Sequence, residues 1–318
     1  MPAIDMTLTE LRLYLGRNPK PDDFDMFWEQ ALEELHTVDS QLEMVESSFS
    51  VPDVACYDIY FTGVRNARIH AQYLRPKRAR SPHPAVLQFH GYKGSAGDWS
   101  EKLVYTSLGY SVIAMDCRGQ GGRSEDSGRV RGTTYRGHII RGLEDAPDNL
   151  LYRQIYLDTV QLAHLVMAFP EVDSHRIGVM GWSQGGALAV VCAALEPRIR
   201  RCAAVYPFLS DYRRAWEMDL GGCLEEIVPF FRNHDPQHIR EAEIFTRLGY
   251  IDIQHLAPRI RGRVMWGMGL MDTVCPPSTQ FAAYNKITAE KRLELFPDFG
   301  HESLPGMSDK ILQFMCGL

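Results

Sequence analysis

The feature that most constrains the fold of this chain is a pentapeptide, Gly181-Trp182-Ser183-Gln184-Gly185. An apolar run at residues 175–180, typical of a strand, precedes it, and small residues typical of a buried helix follow at 187–195. In a G-x-S-x-G turn from strand to helix, the glycines allow a tight, strained turn that exposes the serine oxygen. Free backbone N–H groups at the helix start favour negative charge beside that oxygen. This context predicts that Ser183 is a nucleophile.

Hydrophobic periodicity divides the chain into alternating strand-like and helix-like segments. Besides the run before Ser183, strands are predicted at residues 54–61, 68–74, 85–89, 111–115, 202–206, 264–267 and 292–296. Helices are predicted at residues 22–36, 97–108, 151–169, 187–195, 281–286 and 312–315. Several strands of the second half are apolar throughout, as is typical of a parallel sheet covered on both faces. We therefore expect an α/β fold with a mostly parallel central sheet and helices on both faces.

The length of 318 residues is compatible with a single domain, and we expect one domain over residues 1–318. The segment 22–36 is expected to form an N-terminal helical extension. Residues 117–150 carry seven glycines and no long apolar run, which predicts an irregular excursion of the kind that compact domains keep for function or assembly. Residues 210–257 are predicted to form a mostly helical insertion.

Composition argues against several classes of protein. With 45% hydrophobic and 23% charged residues and no run of about 18 apolar residues, the sequence predicts no membrane span. A net charge of −6, with both signs interspersed, argues against nucleic acid as a partner. The N-terminus lacks the basic start and apolar stretch of a secretion signal, so we expect a cytoplasmic location. No C-x-x-C pair occurs, and buried, reduced thiols are expected for the seven cysteines: Cys56, Cys117, Cys192, Cys202, Cys223, Cys275 and Cys316.

The glycine-rich run Arg118-Gly119-Gln120-Gly121-Gly122 does not fit a nucleotide site. It is not followed by Gly-Lys-Ser/Thr, and its spacing is not G-x-G-x-x-G. We expect its glycines to turn the chain and Arg118 to be ion-paired near the site. Neither H-E-x-x-H nor a cluster of Cys and His at ligand spacing occurs, so no metal and no cofactor are expected.

A serine hydroxyl needs a base to take its proton and a third group to orient that base. In an α/β-hydrolase fold these partners follow in the order acid, then histidine. Asp272 follows the strand at 264–267, and His301 follows the last predicted strand, so they are the predicted acid and general base. Asp298 is a rival acid, but it lies on the same short loop as His301 and is less well placed to reach its Nδ1.

The oxyanion formed on attack needs two donors. The backbone N–H of Gln184, directly after the nucleophile, is the first candidate. The second is the backbone N–H of Tyr92, in the loop that follows the strand at 85–89. Trp182, Tyr206 and Pro207 are candidate walls of a tight substrate pocket, although aromatic residues of this kind are equally common in cores.

The motifs together resemble those of the acetyl xylan esterase and cephalosporin C deacetylase family, the seventh family of carbohydrate esterases, and the resemblance spans nearly the whole chain. It rests on His90-Gly91-Tyr92, Arg118-Gly119-Gln120-Gly121-Gly122, Gly181-Trp182-Ser183-Gln184-Gly185-Gly186, Gly300-His301-Glu302, Phe27-Trp28, Tyr152-Arg153, Phe169-Pro170-Glu171-Val172-Asp173, Tyr206-Pro207-Phe208-Leu209-Ser210 and Pro276-Pro277-Ser278-Thr279. Two departures are Trp182, where many members carry glycine, and residues 218–224, which fit the family pattern poorly.

The resemblance implies an α/β-hydrolase fold with Ser183, Asp272 and His301 as the triad and Tyr92 and Gln184 as oxyanion donors. It also implies removal of acetyl groups from short xylo-oligosaccharides and cephalosporin-type antibiotics, without a metal and inside the cell. Such enzymes commonly assemble as hexamers of paired trimers, with residues 117–150 matching the interface loop.

Two other functions remain open from the residues alone. One is an acyl-peptide or dipeptide hydrolase on the same fold, which would cleave peptide p-nitroanilides faster than acetyl esters. The other is a catalytically silent binding protein of this fold, in which Ser183 would not react with an organophosphate.

Overall fold

The computed structural model of the protein describes residues 4–80, 82–127, 137–220 and 226–318. Over these residues a nine-stranded sheet forms the centre of the fold, in the spatial order β1-β2-β3-β5-β4-β6-β7-β8-β9. The strands are β1 Glu43–Glu46, β2 Val54–Gly63, β3 Ala67–Pro76, β4 His83–Phe89, β5 Ser111–Met115, β6 Val172–Trp182, β7 Arg201–Val205, β8 Arg263–Gly269 and β9 Lys291–Phe296.

The sheet is antiparallel at one end and parallel over the rest. The pairs β1–β2, β2–β3 and β3–β5 are antiparallel. The strands β5, β4, β6, β7, β8 and β9 run parallel to one another in that spatial order. The prediction of a mostly parallel sheet is confirmed. Because all six parallel strands end at the same edge, the loops after β4, β6, β8 and β9 meet there.

Helices cover the sheet. They are α1 Leu8–Leu11, α2 Phe24–His36, α3 Leu103–Ser107, α4 Leu151–Met167, α5 Gln184–Leu195, α6 Tyr212–Met218, α7 Ile227–His234, α8 Glu241–Gly249, α9 Ile253–Leu256, α10 Pro277–Lys286 and α11 Met307–Met315. Two hydrophobic clusters separate the faces, one including α2, α4 and α5 and the other including parts of α3 and α11. Along β6, Val179 packs into the first cluster and Met180 into the second, as the alternation of side chains along a strand requires.

The N-terminal amphipathic helix agrees with its pattern. Its five buried residues are those at helical spacing in the sequence: Phe24, Phe27, Trp28, Ala31 and Leu35. The indole N–H of Trp28 donates to the backbone oxygen of Tyr250 at 3.0 Å, and its ring stacks on Tyr156 of α4. The extension is therefore packed on the body of the fold.

Several elements differ from the sequence expectation, among them the short helix α1 at Leu8–Leu11, which was not predicted. The edge strand β1 was not predicted, because all four of its residues are exposed and show no alternation of apolar and polar side chains. The helix expected at 97–108 is shorter: a 3₁₀ turn at Trp99–Lys102 leads into α3 at Leu103–Ser107.

The excursion and the insertion are described in part. Residues 117–127 and 137–150 form turns and one 3₁₀ turn at Pro147–Asn149, while residues 128–136, including Gly128 and Gly132, lie outside the described residues. The region 210–257 contains α6 to α9, and residues 221–225 lie outside the described part. The departure from the family pattern at 218–224 therefore falls largely outside it.

Cysteine placement differs from the expectation at one position. Cys56, Cys117, Cys192, Cys202 and Cys275 are free and buried, whereas Cys316 is free and exposed after the C-terminal helix. Cys223 lies outside the described residues. Within the described ranges, no helix combines the length and apolar character that crossing a bilayer requires.

Candidate active site

Ser183 occupies a strained turn between β6 and α5. Its φ of 56° and ψ of −121° lie in a region that non-glycine residues rarely adopt. A Cβ at Gly181 would overlap the backbone of Gly185, and a Cβ at Gly185 would overlap the backbone oxygen of Phe89. The two glycines of the pentapeptide therefore allow the close approach of β4, β6 and α5 that forces Ser183 into the turn.

The turn is fixed by backbone hydrogen bonds on both sides of the serine. The N–H of Ser183 donates to the backbone oxygen of Val205 in β7 at 2.9 Å. Its own backbone oxygen accepts from the N–H of Phe208 at 3.1 Å. These contacts hold the strained conformation, and the Ser183 side chain stays at the edge where the parallel strands end.

Ser183, His301 and Asp272 form a continuous chain of hydrogen bonds. Oγ of Ser183 lies 3.1 Å from Nε2 of His301, and Nδ1 of His301 lies 2.9 Å from Oδ2 of Asp272. Ser183 is 8% exposed and Asp272 is fully buried. The structure thus brings together the three residues that the sequence singled out, in the order hydroxyl, imidazole, carboxylate.

The carboxylate of Asp272 is held in place by its own loop. Its Oδ1 accepts from the backbone N–H groups of Val274 at 2.9 Å and Cys275 at 2.8 Å, which leaves Oδ2 directed at His301. Asp298, the rival acid, is exposed. The two strands that precede Asp272 and His301, β8 and β9, are neighbours in the sheet, so their following loops meet.

The loop that carries Tyr92 lies beside the serine turn. Phe89, the last residue of β4, pairs with Gly181 of β6. A Cβ placed on Gly91 would lie 4.0 Å from the backbone oxygen of Trp182. His90 accepts at Nε2 from the N–H of Cys117 at 2.9 Å and contacts the backbone oxygen of Gly91 through Nδ1 at 2.7 Å. The peptide before Tyr92 is therefore anchored next to the peptide before Ser183.

The side chain of Gln184 is fully buried in a polar network. Its Oε1 accepts from the hydroxyl of Tyr152 at 2.7 Å and from Nε2 of Gln120 at 2.8 Å. Oε1 of Gln120 in turn accepts from Nε2 of Gln184 at 3.1 Å and from the backbone N–H of Lys93 at 2.8 Å. Burial raises the pKa of Tyr152 well above its usual value, so its hydroxyl remains a donor. Gln120 thus connects the two segments proposed to supply oxyanion donors.

The three candidate pocket residues occupy different environments. Trp182 is partly buried and packs against the hydrophobic cluster that includes Tyr206. The ring of Tyr206 lies 4.5 Å from the ring of His301, centre to centre, and Pro207 is buried beside it. Burial and the Asp272 carboxylate raise the pKa of Tyr206 to about 12, so its hydroxyl stays protonated. Their role as substrate walls remains a prediction.

Arg118 is ion-paired, as its glycine-rich setting predicted. Its guanidinium donates from Nε to Oδ2 of Asp158 at 2.7 Å and from Nη2 to Oδ1 at 2.5 Å, and both side chains are almost fully buried. The bidentate pair joins the start of the excursion to α4.

Among the described residues, one group has the spacing of a metal site, and it belongs to the same constellation. The ligand atoms of Asp272, Cys275 and His301 all lie within 4.8 Å of one another. Both carboxylate oxygens of Asp272 already accept hydrogen bonds, from His301 and from two backbone N–H groups. Two of the three members, Asp272 and His301, are therefore already joined in the hydrogen-bonded series with Ser183.

With this geometry in view, the comparisons with known proteins identify the family. A family model described as acetyl xylan esterase matches residues 1–318. The chain belongs to the acetyl xylan esterase family. It is similar to acetyl xylan esterase 1 from Thermoanaerobacterium sp. JW/SL YS485, with 56% identity and a TM-score of 0.97, over 98% of this chain and 99% of that one.

The chain is also similar to a curated protein that is longer than itself. Acetyl esterase Axe7A from Xylanibacter ruminicola is 29% identical over 286 residues, which are 87% of this chain and 62% of the relative. The fold is also shared with the α/β hydrolase GrgF from Penicillium sp. sh18, at 15% identity and a TM-score of 0.57, over 82% of this chain and 97% of that one. The predicted α/β-hydrolase fold is confirmed.

Two residues that contact the site of this acetyl xylan esterase family member escaped the sequence reasoning. Gln120 had a signal in the Arg-Gly-Gln-Gly run, but that run predicted only a turn of the chain and an ion pair of Arg118. Glu226, whose Oε1 accepts from the hydroxyl of Tyr92 at 2.6 Å, had none, because it lies 134 positions away in a helical segment. Its contact is created only by the fold.

Proposed function

We propose that the protein is a serine esterase that removes acetyl groups from small acetylated carbohydrates through an acetyl-enzyme intermediate. The observation that carries the proposal is the hydrogen-bonded series Ser183 Oγ, His301 and Asp272, with the serine in a strained strand-to-helix turn. Membership of the acetyl xylan esterase family, a family of carboxylic ester hydrolases, supports the acetyl ester as substrate class.

The first half of the reaction forms the acetyl-enzyme. Oγ of Ser183 attacks the acetyl carbonyl carbon while its proton passes to Nε2 of His301. Nδ1–H of His301 donates to Oδ2 of Asp272, which keeps the reactive tautomer and stabilises the imidazolium. The backbone N–H groups of Tyr92 and Gln184 donate to the oxyanion. The tetrahedral intermediate collapses as His301 gives the proton to the departing sugar oxygen.

The second half regenerates the serine. Water attacks the acetyl carbonyl, and His301 takes a proton from that water at Nε2. Collapse of the second tetrahedral intermediate breaks the bond to Oγ, which regains its proton from His301. Acetic acid leaves and ionises to acetate in water, and no redox change occurs.

Acetylated xylo-oligosaccharides and cephalosporin-type acetyl esters are the substrates that we infer. The similarity to two acetyl esterases supports the acetyl preference, and Trp182, Tyr206 and Pro207 are the residues that we assign to a narrow acyl pocket. A panel of p-nitrophenyl esters of increasing acyl length tests this assignment. Turnover should fall sharply beyond acetate, and equal turnover of the longer esters would contradict it.

The nucleophile is tested by substitution. Ser183→Ala should lower turnover of p-nitrophenyl acetate by roughly 10⁴-fold to 10⁶-fold, with the fold retained by circular dichroism. The matched control is Ser107→Ala, which changes an exposed serine in α3. Unchanged activity of Ser183→Ala would end the proposal.

We also infer a single domain over residues 1–318, a cytoplasmic location and a homo-hexamer in which residues 117–150 contribute to an interface. The free state of the described cysteines is compatible with a reducing compartment. Light scattering coupled to size-exclusion chromatography tests the assembly, and a monomer at micromolar concentration would contradict it.

A further inference from the structure

A buried carboxylate of the insertion contacts the loop that carries Tyr92. Glu226 is 7% exposed and directly precedes α7. Its Oε1 accepts from the hydroxyl of Tyr92 at 2.6 Å, and its Oε2 accepts from the backbone N–H groups of Ile139 at 2.9 Å and Ile140 at 3.1 Å. One side chain therefore joins three segments that are distant in sequence: the loop after β4, the excursion and the insertion.

The excursion closes tightly around this contact. The backbone N–H of His138 donates to the hydroxyl of Tyr92 at 3.1 Å, and the His138 ring packs edge-on against the Tyr92 ring. At Gly137, φ is +136° and a Cβ would overlap the carboxylate of Glu226. Glycine is thus needed at this position, because any side chain would displace the carboxylate from Tyr92.

Burial of the charged Glu226 carboxylate is energetically unfavourable. Burial raises the pKa of Glu226 to about 7, although the hydrogen bonds from Tyr92 and from the backbone act in the opposite direction. Four other titratable groups surround it: His138, Tyr152, Tyr212 and Lys93. Burial lowers the pKa of His138 and raises the pKa values of Tyr152 and Tyr212. Nζ of Lys93 lies 4.9 Å from the centre of the Tyr92 ring. No hydrogen bond between Glu226 and a cationic side chain is found among the described residues.

We propose that Glu226 is a positioning residue that fixes Tyr92, and through it the backbone donor of the oxyanion site. The inference rests on the proposed function, in which the Tyr92 N–H is one of two oxyanion donors. It assigns Glu226 no contact with substrate.

The loop after β4, which carries Tyr92, is held by hydrogen bonds on two sides. On its inner side, Gln120 accepts from the N–H of Lys93, and the backbone oxygen of Gly94 accepts from the N–H of Gly121 at 2.9 Å. The outer side is held through the Tyr92 ring, whose hydroxyl is fixed by Glu226. Because the ring is rigid beyond two torsions, fixing its hydroxyl restricts the Tyr92 peptide. Displacements of about 1 Å at a positioning contact can cost about 100-fold in rate.

Glu226→Gln tests the role with little change in volume. Glutamine has one accepting oxygen, so it cannot accept from both the Tyr92 hydroxyl and the backbone N–H groups. At pH 8, where Glu226 is ionised and can accept at both oxygens, we expect kcat for p-nitrophenyl acetate to fall about 10-fold to 100-fold. KM should change by less than about 3-fold, because the oxyanion donor acts on the transition state. The matched control, Glu243→Gln on α8, changes an exposed carboxylate and should leave kcat unchanged.

A double-mutant cycle with Tyr92→Phe separates positioning from a general structural effect. If Glu226 acts through the Tyr92 hydroxyl, Tyr92→Phe should lower kcat by a similar factor, and the double variant should be no worse than either single variant. If the decrease in kcat of the double variant equals the product of the two single decreases, the inference is overturned. A Glu226→Gln enzyme with wild-type kcat would also overturn it. Should Glu226→Gln not fold, Tyr92→Phe decides alone: reduced kcat at unchanged KM supports the inference, and wild-type kcat overturns it.

Ser183→Ala is measured in the same series to separate the two proposals. An active Ser183→Ala enzyme would show that the proposed function is wrong. An inactive Ser183→Ala enzyme beside a Glu226→Gln enzyme with wild-type kcat would show that only the positioning role is wrong.

Discussion

Nδ1 of His301 lies 2.9 Å from Oδ2 of Asp272, although the two residues are 29 positions apart. The contact arises because β8 and β9 are adjacent parallel strands, and each residue follows the end of its strand. Asp272 is fully buried, and its Oδ1 accepts hydrogen bonds from two backbone N–H groups. Its Oδ2 is therefore the oxygen that contacts His301. Asp272, the member of the series most distant from the nucleophile, is therefore held in a fixed position.

Asp272→Asn should retain the fold and lose most activity. The asparagine can still accept from Val274 and Cys275, but its amide nitrogen would favour the wrong tautomer of His301. We expect kcat for p-nitrophenyl acetate to fall about 10⁴-fold. Asp298→Asn is the control, because Asp298 is exposed, and a larger loss in that variant than in Asp272→Asn would contradict the assignment of the acid.

The ion pair of Arg118 and Asp158 should matter strongly for stability. Both side chains are almost completely buried, so Asp158→Ala leaves an unpaired buried cation. We expect a loss of about 3–5 kcal/mol in the free energy of unfolding, measured by urea denaturation. The exposed pair of Arg68 and Glu43 provides the control, and Glu43→Ala should cost less than about 1 kcal/mol. Equal costs for the two variants would contradict the buried pair's importance.

Glu226 should make stability depend on pH in a defined direction. Its pKa in the folded protein is about 7, above the ordinary value of 4.5, so ionisation favours the unfolded chain. The contribution of neutral Glu226 to the free energy of unfolding is fully present below about pH 4.5 and is lost as the pH rises through 7. The free energy of unfolding of the wild type should fall by about 3 kcal/mol relative to Glu226→Gln across this interval.

Urea denaturation of both proteins at several pH values between 4.5 and 8 measures that difference. Because the two proteins share all other titrating groups, subtracting their curves isolates residue 226. A difference that stays constant with pH would contradict the raised pKa.

The sequence predicted the local features of the site better than its long-range contacts. The serine turn has a local pattern, and Asp272 and His301 could be placed because residues that follow parallel strands meet at one edge. The choice between Asp272 and Asp298 depended on which strands are neighbours. Glu226 could not be found, since nothing near it in sequence indicates contact with Tyr92. Strand β1 was missed because exposed edge residues carry no periodicity.

The most direct test of the account is the site of covalent labelling by diethyl p-nitrophenyl phosphate, determined by peptide mass mapping while activity is followed. A nucleophilic serine activated by His301 should attack phosphorus, release p-nitrophenol and retain the diethylphosphoryl group. We expect one such group per chain, on Ser183, with activity lost in parallel. Inactivation with Ser183 unmodified, or full labelling of Ser183 with activity retained, would contradict it.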